Sequence, residues 1–237
     1  MTAATSEKHK ASSAKKEEFA VVFELENTLL NGHEILFAVL KETLAGVSID
    51  LTPPLYARYM LGRGVEAGVT RLVRAMTGST AKAQKQAGKT RNAYIEKLLA
   101  DAGKPAKGMV ALLNEAGEAG GTLGALSCLD EEALAQVADA CGLADLGVQP
   151  PRQSGDPEHG FDRDSWLDLL KTLRISTARC FALTSQAAAC KGALAAGMMT
   201  GVVENALTSF QDFSGCDFVR DALDADTRKD ILSRLTP

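Results

Sequence analysis

Two hydrophobic patterns alternate along this chain. Glu18-Phe19-Ala20-Val21-Val22-Phe23 is a short, almost continuous apolar run rich in β-forming residues, and it stops at Glu24. That is the pattern of a strand buried on both faces. Thr122 to Leu126, Cys180 to Thr184 and Met199 to Val203 repeat it. The segments between them space their apolar residues by three and four, the period of a helix with one buried face. Strands alternating with helices predict an α/β fold, a Rossmann-like parallel sheet covered on both sides. Glu131 to Cys141 is expected as an amphipathic helix that stops near Gly142, and Asp164 to about Leu173 as another with Asp164 as N-cap. Asp217 to Val219 and Asp221 to Leu235 read as a short edge strand and a closing helix. Gln149 to Asp162 holds three prolines and two glycines, too many for a regular element.

Roughly ninety residues separate the first two strands, where a crossover needs on the order of 10 to 15. The excess is helical in pattern. Ile35, Leu36, Val39 and Leu40 share one face, as do Val69, Leu72, Val73 and Met76, and then Tyr94, Ile95, Leu98 and Leu99. Pro53-Pro54, Gly62, Gly64 and Gly78 divide the stretch into about four helices. The lysine-rich segment Ala81 to Arg91 reads as a solvated helix face or connector. The expected division is a disordered tail over 1–17, an α/β core from 18–32 and 104–237, and a helical lobe over 33–103.

Composition narrows the function classes. With 46% hydrophobic and 24% charged residues the chain suits a globular protein of one or two domains, not a disordered or membrane-embedded one. No apolar run approaches the roughly 20 residues needed to span a bilayer. The polar start of the chain has no secretory pattern, so the cytoplasm is the expected location. A net charge of −4 excludes a broad basic surface and, with it, nucleic acid as the main partner. Cys128, Cys141, Cys180, Cys190 and Cys216 are odd in number and lack a C-x-x-C pair, so they are expected reduced. His9, His33 and His159 have no ligand spacing and are expected at the surface. Cys128 has no histidine placed to activate it, and Trp166 is assigned to the core.

In open α/β sheets ligands bind beyond the carboxyl ends of the strands. Glu24 and Glu26 leave the first strand two residues apart and could converge on a cation or act as nucleophile and acid, although Glu-x-Glu is also common on solvated turns. Ser127, at the end of the second strand and followed by backbone N–H groups, could receive a phosphate or sulfate oxygen, or simply be a satisfied strand-end hydroxyl.

Four stretches carry a family resemblance: Glu24-Leu25-Glu26-Asn27-Thr28-Leu29, Lys107-Gly108 leading to Leu112-Leu113, Leu126-Ser127, and Cys180 to Ser185 followed by Ala195-Ala196-Gly197-Met198. From Phe19 to Leu235 the layout resembles the haloacid dehalogenase (HAD) phosphatases of the phosphoglycolate phosphatase type. The resemblance implies a HAD-like core, with 33–103 as a helical cap. It makes Glu24 the counterpart of the nucleophilic Asp and Glu26 that of the acid/base Asp, and it assigns phosphate contacts to Thr28 and Ser127. Magnesium would be held by Glu24, the backbone at Glu26 and the residue at Ser185. The departures lie in these same positions. Both aspartates are lengthened to glutamate, Ser185 stands where a carboxylate belongs, and no lysine lies between Val148 and Asp164. Arg152 and Arg163 are the nearest cations, and on the phosphatase reading one of them replaces that lysine and contacts the phosphate. Phosphoryl transfer rests on positioning and electrostatic stabilisation, so these changes remove what the reaction depends on most. The expectation is a degenerate site, weak or inactive, needing no cofactor and serving ligand binding or interaction with an unidentified protein partner. The alternative is an active phosphatase for small phosphomonoesters with Glu24 as nucleophile and Mg²⁺ as cofactor. On either reading a bound ligand is expected to be small and phosphorylated or anionic.

Overall fold

The computed structural model describes residues 18–154 and 160–236, so the tail 1–17, His9 and His159 lie outside the described residues. Six strands form one parallel sheet: β1 (Ala20–Glu24), β2 (Thr122–Ser127), β3 (Arg152–Gln153), β4 (Cys180–Thr184), β5 (Met199–Val203) and β6 (Phe218–Arg220), in the order β3-β2-β1-β4-β5-β6. Every residue of β1 and β4 is buried. Alternation assigns β1 to two layers, with Val21 and Phe23 in one apolar cluster and Ala20 and Val22 in the other. Each fully buried Val or Phe contributes about 1.5 to 3 kcal/mol.

Four helices fill the connection between β1 and β2: α1 (Gly32–Ala45), α2 (Pro53–Met60), α3 (Val65–Thr77) and α4 (Thr80–Asp101). They bury Leu36, Val39, Leu40, Val69, Leu72, Val73, Tyr94 and Leu98 as the spacing predicts, whereas Met76 is 53% exposed because it lies in the last turn of α3. The Ala81 to Arg91 segment is more than a solvated face. It lies within α4, where Ala83, Gln86, Ala87 and Thr90 pack inward while Lys82, Lys85 and Lys89 face solvent. The chain re-enters the core beside its exit, where Ala106 N–H donates to Leu29 O at 2.7 Å.

The remaining helices are α5 (Met109–Glu118), α6 (Glu131–Ala140), α7 (Arg163–Leu173), α8 (Ala187–Ala195) and α9 (Ala225–Leu235). Gly108 precedes α5 with φ +83°, and a Cβ there would strike Leu223 O. Two sequence expectations need correction. Asp162, not Asp164, caps α7, accepting from Ser165 N–H at 2.8 Å, while Asp164 pairs with Arg163. The Pro-rich segment after Gln149 contains β3, a two-residue edge strand on β2 that sequence patterning is too short to detect. Among the described residues no helix is long and apolar enough to cross a membrane.

Candidate functional site

Register brings three strand ends together. Glu24 lies beside Leu126, and Phe23 beside Leu183, so Glu24, Ser127 and Ser185 emerge at one edge of the sheet. This edge is also where the connections diverge, β2 to one side of β1 and β4 to the other, the position where α/β sheets open a crevice. Beyond β1 the chain turns through a single π-helical stretch, Leu25–Leu29, which carries Glu26 back over the sheet.

Glu24 is fully buried and surrounded by neutral donors. Ser185 N–H donates to Oε1 at 2.8 Å, and Oε2 receives Asn27 Nδ2 at 2.7 Å and Gln186 Nε2 at 3.2 Å, with Ser185 Oγ at 3.5 Å. Burial pushes its carboxyl up to about 7, and these hydrogen bonds only partly oppose the rise. Glu26 is 4% exposed. Its Oε1 accepts from Ser127 Oγ at 2.8 Å and from Cys128 N–H at 2.9 Å, while its Oε2 has no partner among the described residues. Desolvation raises this carboxyl as well.

The hydroxyls named from sequence are engaged locally. Thr28 Oγ donates to Glu24 O at 2.6 Å, inside its own turn, so it is not free for a ligand. Ser127 gives its proton to Glu26 and accepts from Leu129 N–H at 3.1 Å. The arginines also stand differently from the sequence expectation. Arg163 lies in the exposed first turn of α7, bound to Asp164 and to Ala195 O, and Arg152 lies exposed on β3 beside Pro150 and Pro151. Among the described residues neither is hydrogen-bonded to Glu24 or Glu26, because the β3 edge and the start of α7 carry them outward. The cation lining the pocket is Arg63.

Beside Glu26 is a cavity of about 40 Å³ between the sheet edge and the inserted helices. Its walls include Glu26, His33, Tyr56, Tyr94, Cys128 and Gln186. His33 is not a surface residue as expected but 5% exposed, with Nδ1 2.9 Å from Tyr56 Oη and Nε2 without a partner among the described residues. Burial lowers its pKa to about 4, so the ring is neutral at physiological pH. Cys128 is unactivated, its thiol pushed well above the usual range by burial and by Glu26. Gly32 lets the wall close tightly, because a Cβ there would lie 2.7 Å from Tyr94 Oη and from Glu26 O. Gln186 links the two parts of the molecule: its Oε1 accepts from Gly62 N–H of the insertion at 2.7 Å while its Nε2 holds Glu24. Arg91 of α4 pairs with Asp130, which also caps α6.

Asn27, Gln186, His33 and Tyr56 were absent from the candidates read from sequence. Asn27 and Gln186 each adjoin a position that was named, and that adjacency was the available signal. Nothing local marks His33, whose role depends on Tyr56 from another helix.

No protein-family model and no curated protein matches the sequence. Solved structures do match it. A beta-phosphoglucomutase from Clostridium difficile superposes with TM-score 0.74 at 16% identity, covering 91% of this chain and 96% of that one. A mutant of CbbY from Rhodobacter sphaeroides in complex with xylulose-(1,5)bisphosphate gives 0.71 at 20% identity, covering 88% and 95%. A HAD hydrolase of family IA, variant 3, from Entamoeba histolytica gives 0.71 at 16%, covering 91% and 99%. At these identities the likeness is one of fold.

Proposed function

From the haloacid dehalogenase fold of this chain, we propose that it is a pseudophosphatase, a phosphatase-like scaffold whose site binds without hydrolysing. The observation that carries this reading is that the donors at the strand ends are already spent on the chain's own glutamates. Ser127 Oγ and Cys128 N–H, the groups able to receive a phosphate oxygen, both serve Glu26 Oε1. The longer side chain thus fills an anion site with an internal anion.

The cation half is altered in the same sense. Mg²⁺ prefers several hard oxygen ligands in a near-octahedral shell. Here Asn27, Gln186 and the Ser185 backbone direct N–H groups at Glu24, and such donors oppose a cation. No group of three or more His, Cys, Asp or Glu side chains suited to a metal occurs among the described residues. The residues present do not fit magnesium. Burial also holds the Glu24 carboxyl near 7, so about half of it is protonated at neutral pH and unavailable for attack. The phosphorylated ligand seen in CbbY therefore does not carry over to this chain.

Calorimetric titration with Mg²⁺ tests the proposal. The natural protein is expected to give no binding heat, while a variant combining Glu24→Asp, Glu26→Asp, Ser185→Asp and Gln186→Ala gains it. Tight Mg²⁺ binding by the natural protein, with Glu24-dependent turnover of small phosphomonoesters, would establish the active-phosphatase alternative instead.

A further inference from the structure

Charge is sorted along this chain in a way the strand-end site does not use. From Ala67 to Ile95 there are six lysines and arginines and no acid, whereas from Gly108 to Pro151 there are seven acids and no lysine or arginine. Such blocks make one basic and one acidic surface if the fold leaves their side chains exposed and unpaired. The basic block is the hairpin of α3 and α4. Arg74, Lys82, Lys85 and Lys89 are exposed, and none of the four forms an ion pair with a described residue. The three lysines recur at intervals of three and four and so share one face of α4, while Arg91 turns to the core and pairs with Asp130. At the end of the hairpin Gly78 reverses the chain with φ +70° and nothing packed against it. Met76, beside that turn, is 53% exposed.

The acidic block gathers on α6 and the turn after it. Glu131, Glu132, Asp139 and Asp145 are exposed and likewise form no ion pair with a described residue. Glu131 heads a surface groove of about 560 Å³ walled by Leu134 and Ala135 of α6 and by Pro150 and Pro151, with Arg152 at its β3 end. An exposed methionine among cations and an apolar groove beside acids match in both charge and polarity. Within one copy the two do not meet. α4 flanks α6 on the side of Glu132 and Gln136, the groove opens on the side of Glu131 and Ala135, and the hairpin end stands roughly 15 Å beyond Arg91 along the same continuous helix. An anionic lipid surface or an acidic segment of another protein would satisfy the lysines and leave the groove unfilled. A second copy accounts for both. We propose that the end of the α3–α4 hairpin, with Met76 and its lysines, docks in the α6 groove of a second copy of this chain. The contact is head to tail, so association continues into a chain or closes into a ring, and a patch of this size makes it weak and salt-sensitive. Nothing in it depends on whether the strand-end site hydrolyses phosphate.

The experiment is sedimentation velocity of the full chain over a range of concentrations and salt. Species larger than the monomer should grow with concentration, and association should weaken at least about tenfold between roughly 50 and 500 mM NaCl. Two variants locate the contact. Met76→Ser with Lys82→Glu and Lys85→Glu disables the hairpin end, and Glu131→Lys with Ala135→Arg disables the groove. All five positions are exposed, so the melting temperature should change little. Each variant alone is expected to be monomeric, and the two mixed to form a 1:1 dimer, because each supplies the surface that the other lacks. Should either variant not fold, Lys85→Glu and Ala135→Arg alone take their places in the same mixing test. The proposal is overturned if the natural chain stays monomeric at low salt, if the variants associate as the natural chain does, or if the mixture stays monomeric. Binding of phosphatidylserine vesicles by a chain that stays monomeric would assign the hairpin to a lipid surface and overturn it as well.

Discussion

At the residue scale the two glutamates differ in what surrounds them. Glu24 is held by amides and Glu26 by a hydroxyl and a backbone N–H, and neither meets a cation. Both are costly to ionise, which gives the protein a pH signature. The native pKa of Glu24 is about 7 against an ordinary 4.5, so between these values the native state binds more protons than the unfolded one. Stability from this group is therefore complete below about pH 4.5 and is lost as the pH rises through 7, a change on the order of 3 kcal/mol. Glu24→Gln should flatten the part of the stability curve between pH 5 and 8 that Glu24 contributes, as measured by urea unfolding at several pH values. An unchanged slope would mean that Glu24 is not the titrating group. Glu24, Glu26, Ser127 and Ser185 were legible in sequence because strand ends are marked by the end of an apolar run. Asn27 and Gln186 were not, since a neutral amide carries no local sign of whether it faces a carboxylate or water. The burial of His33 is not legible in sequence, because burial of a lone histidine is decided by a partner 23 positions away.

Elements with strong periodicity were readable, and elements set by a few backbone contacts were not. The four principal strands and the helical character of the insertion follow from runs and spacing of apolar residues. β3 and the start of α7 depend on pairing and capping geometry that periodicity does not encode. The cap assignment is open to test: Asp162→Ala should cost about 1 kcal/mol through loss of the bond to Ser165 N–H, and Asp164→Ala only a few tenths, both read from thermal melting. Gln186, just before α8, is the element junction with the widest reach. Gln186→Ala removes the acceptor of Gly62 N–H and a donor to Glu24, so hydrogen exchange at the Gly62 amide should accelerate at least tenfold. Protection equal to that of the natural protein would show that the contact does not hold the insertion in place.

On the scale of the whole molecule, the sheet gathers the site and the insertion closes it. Three strand ends supply the polar groups, which is why no single substitution restores a cation site. Gly108 shows how tightly the two ends of the core fit: α5 begins against Leu223, just before α9, in a backbone conformation that Ala adopts at a cost. Gly108→Ala should lower the unfolding free energy by more than about 2 kcal/mol, visible as an earlier urea midpoint with unchanged slope. A fold of this kind was readable from sequence across the core, where burial repeats with a fixed period. The pocket beside Glu26 was not, because its shape arises between elements far apart in the chain. The hydrogen bond from Ala106 to Leu29 has a topological consequence. Since the chain departs from the sheet and returns to it at adjacent points, the four helices form a side branch, and a turn of a few residues could splice Leu29 to Ala106 without stretching any other connection. The enclosure around Glu26 and His33 is thus a detachable module in the plan of the chain, open to exchange while the sheet beneath it stays the same.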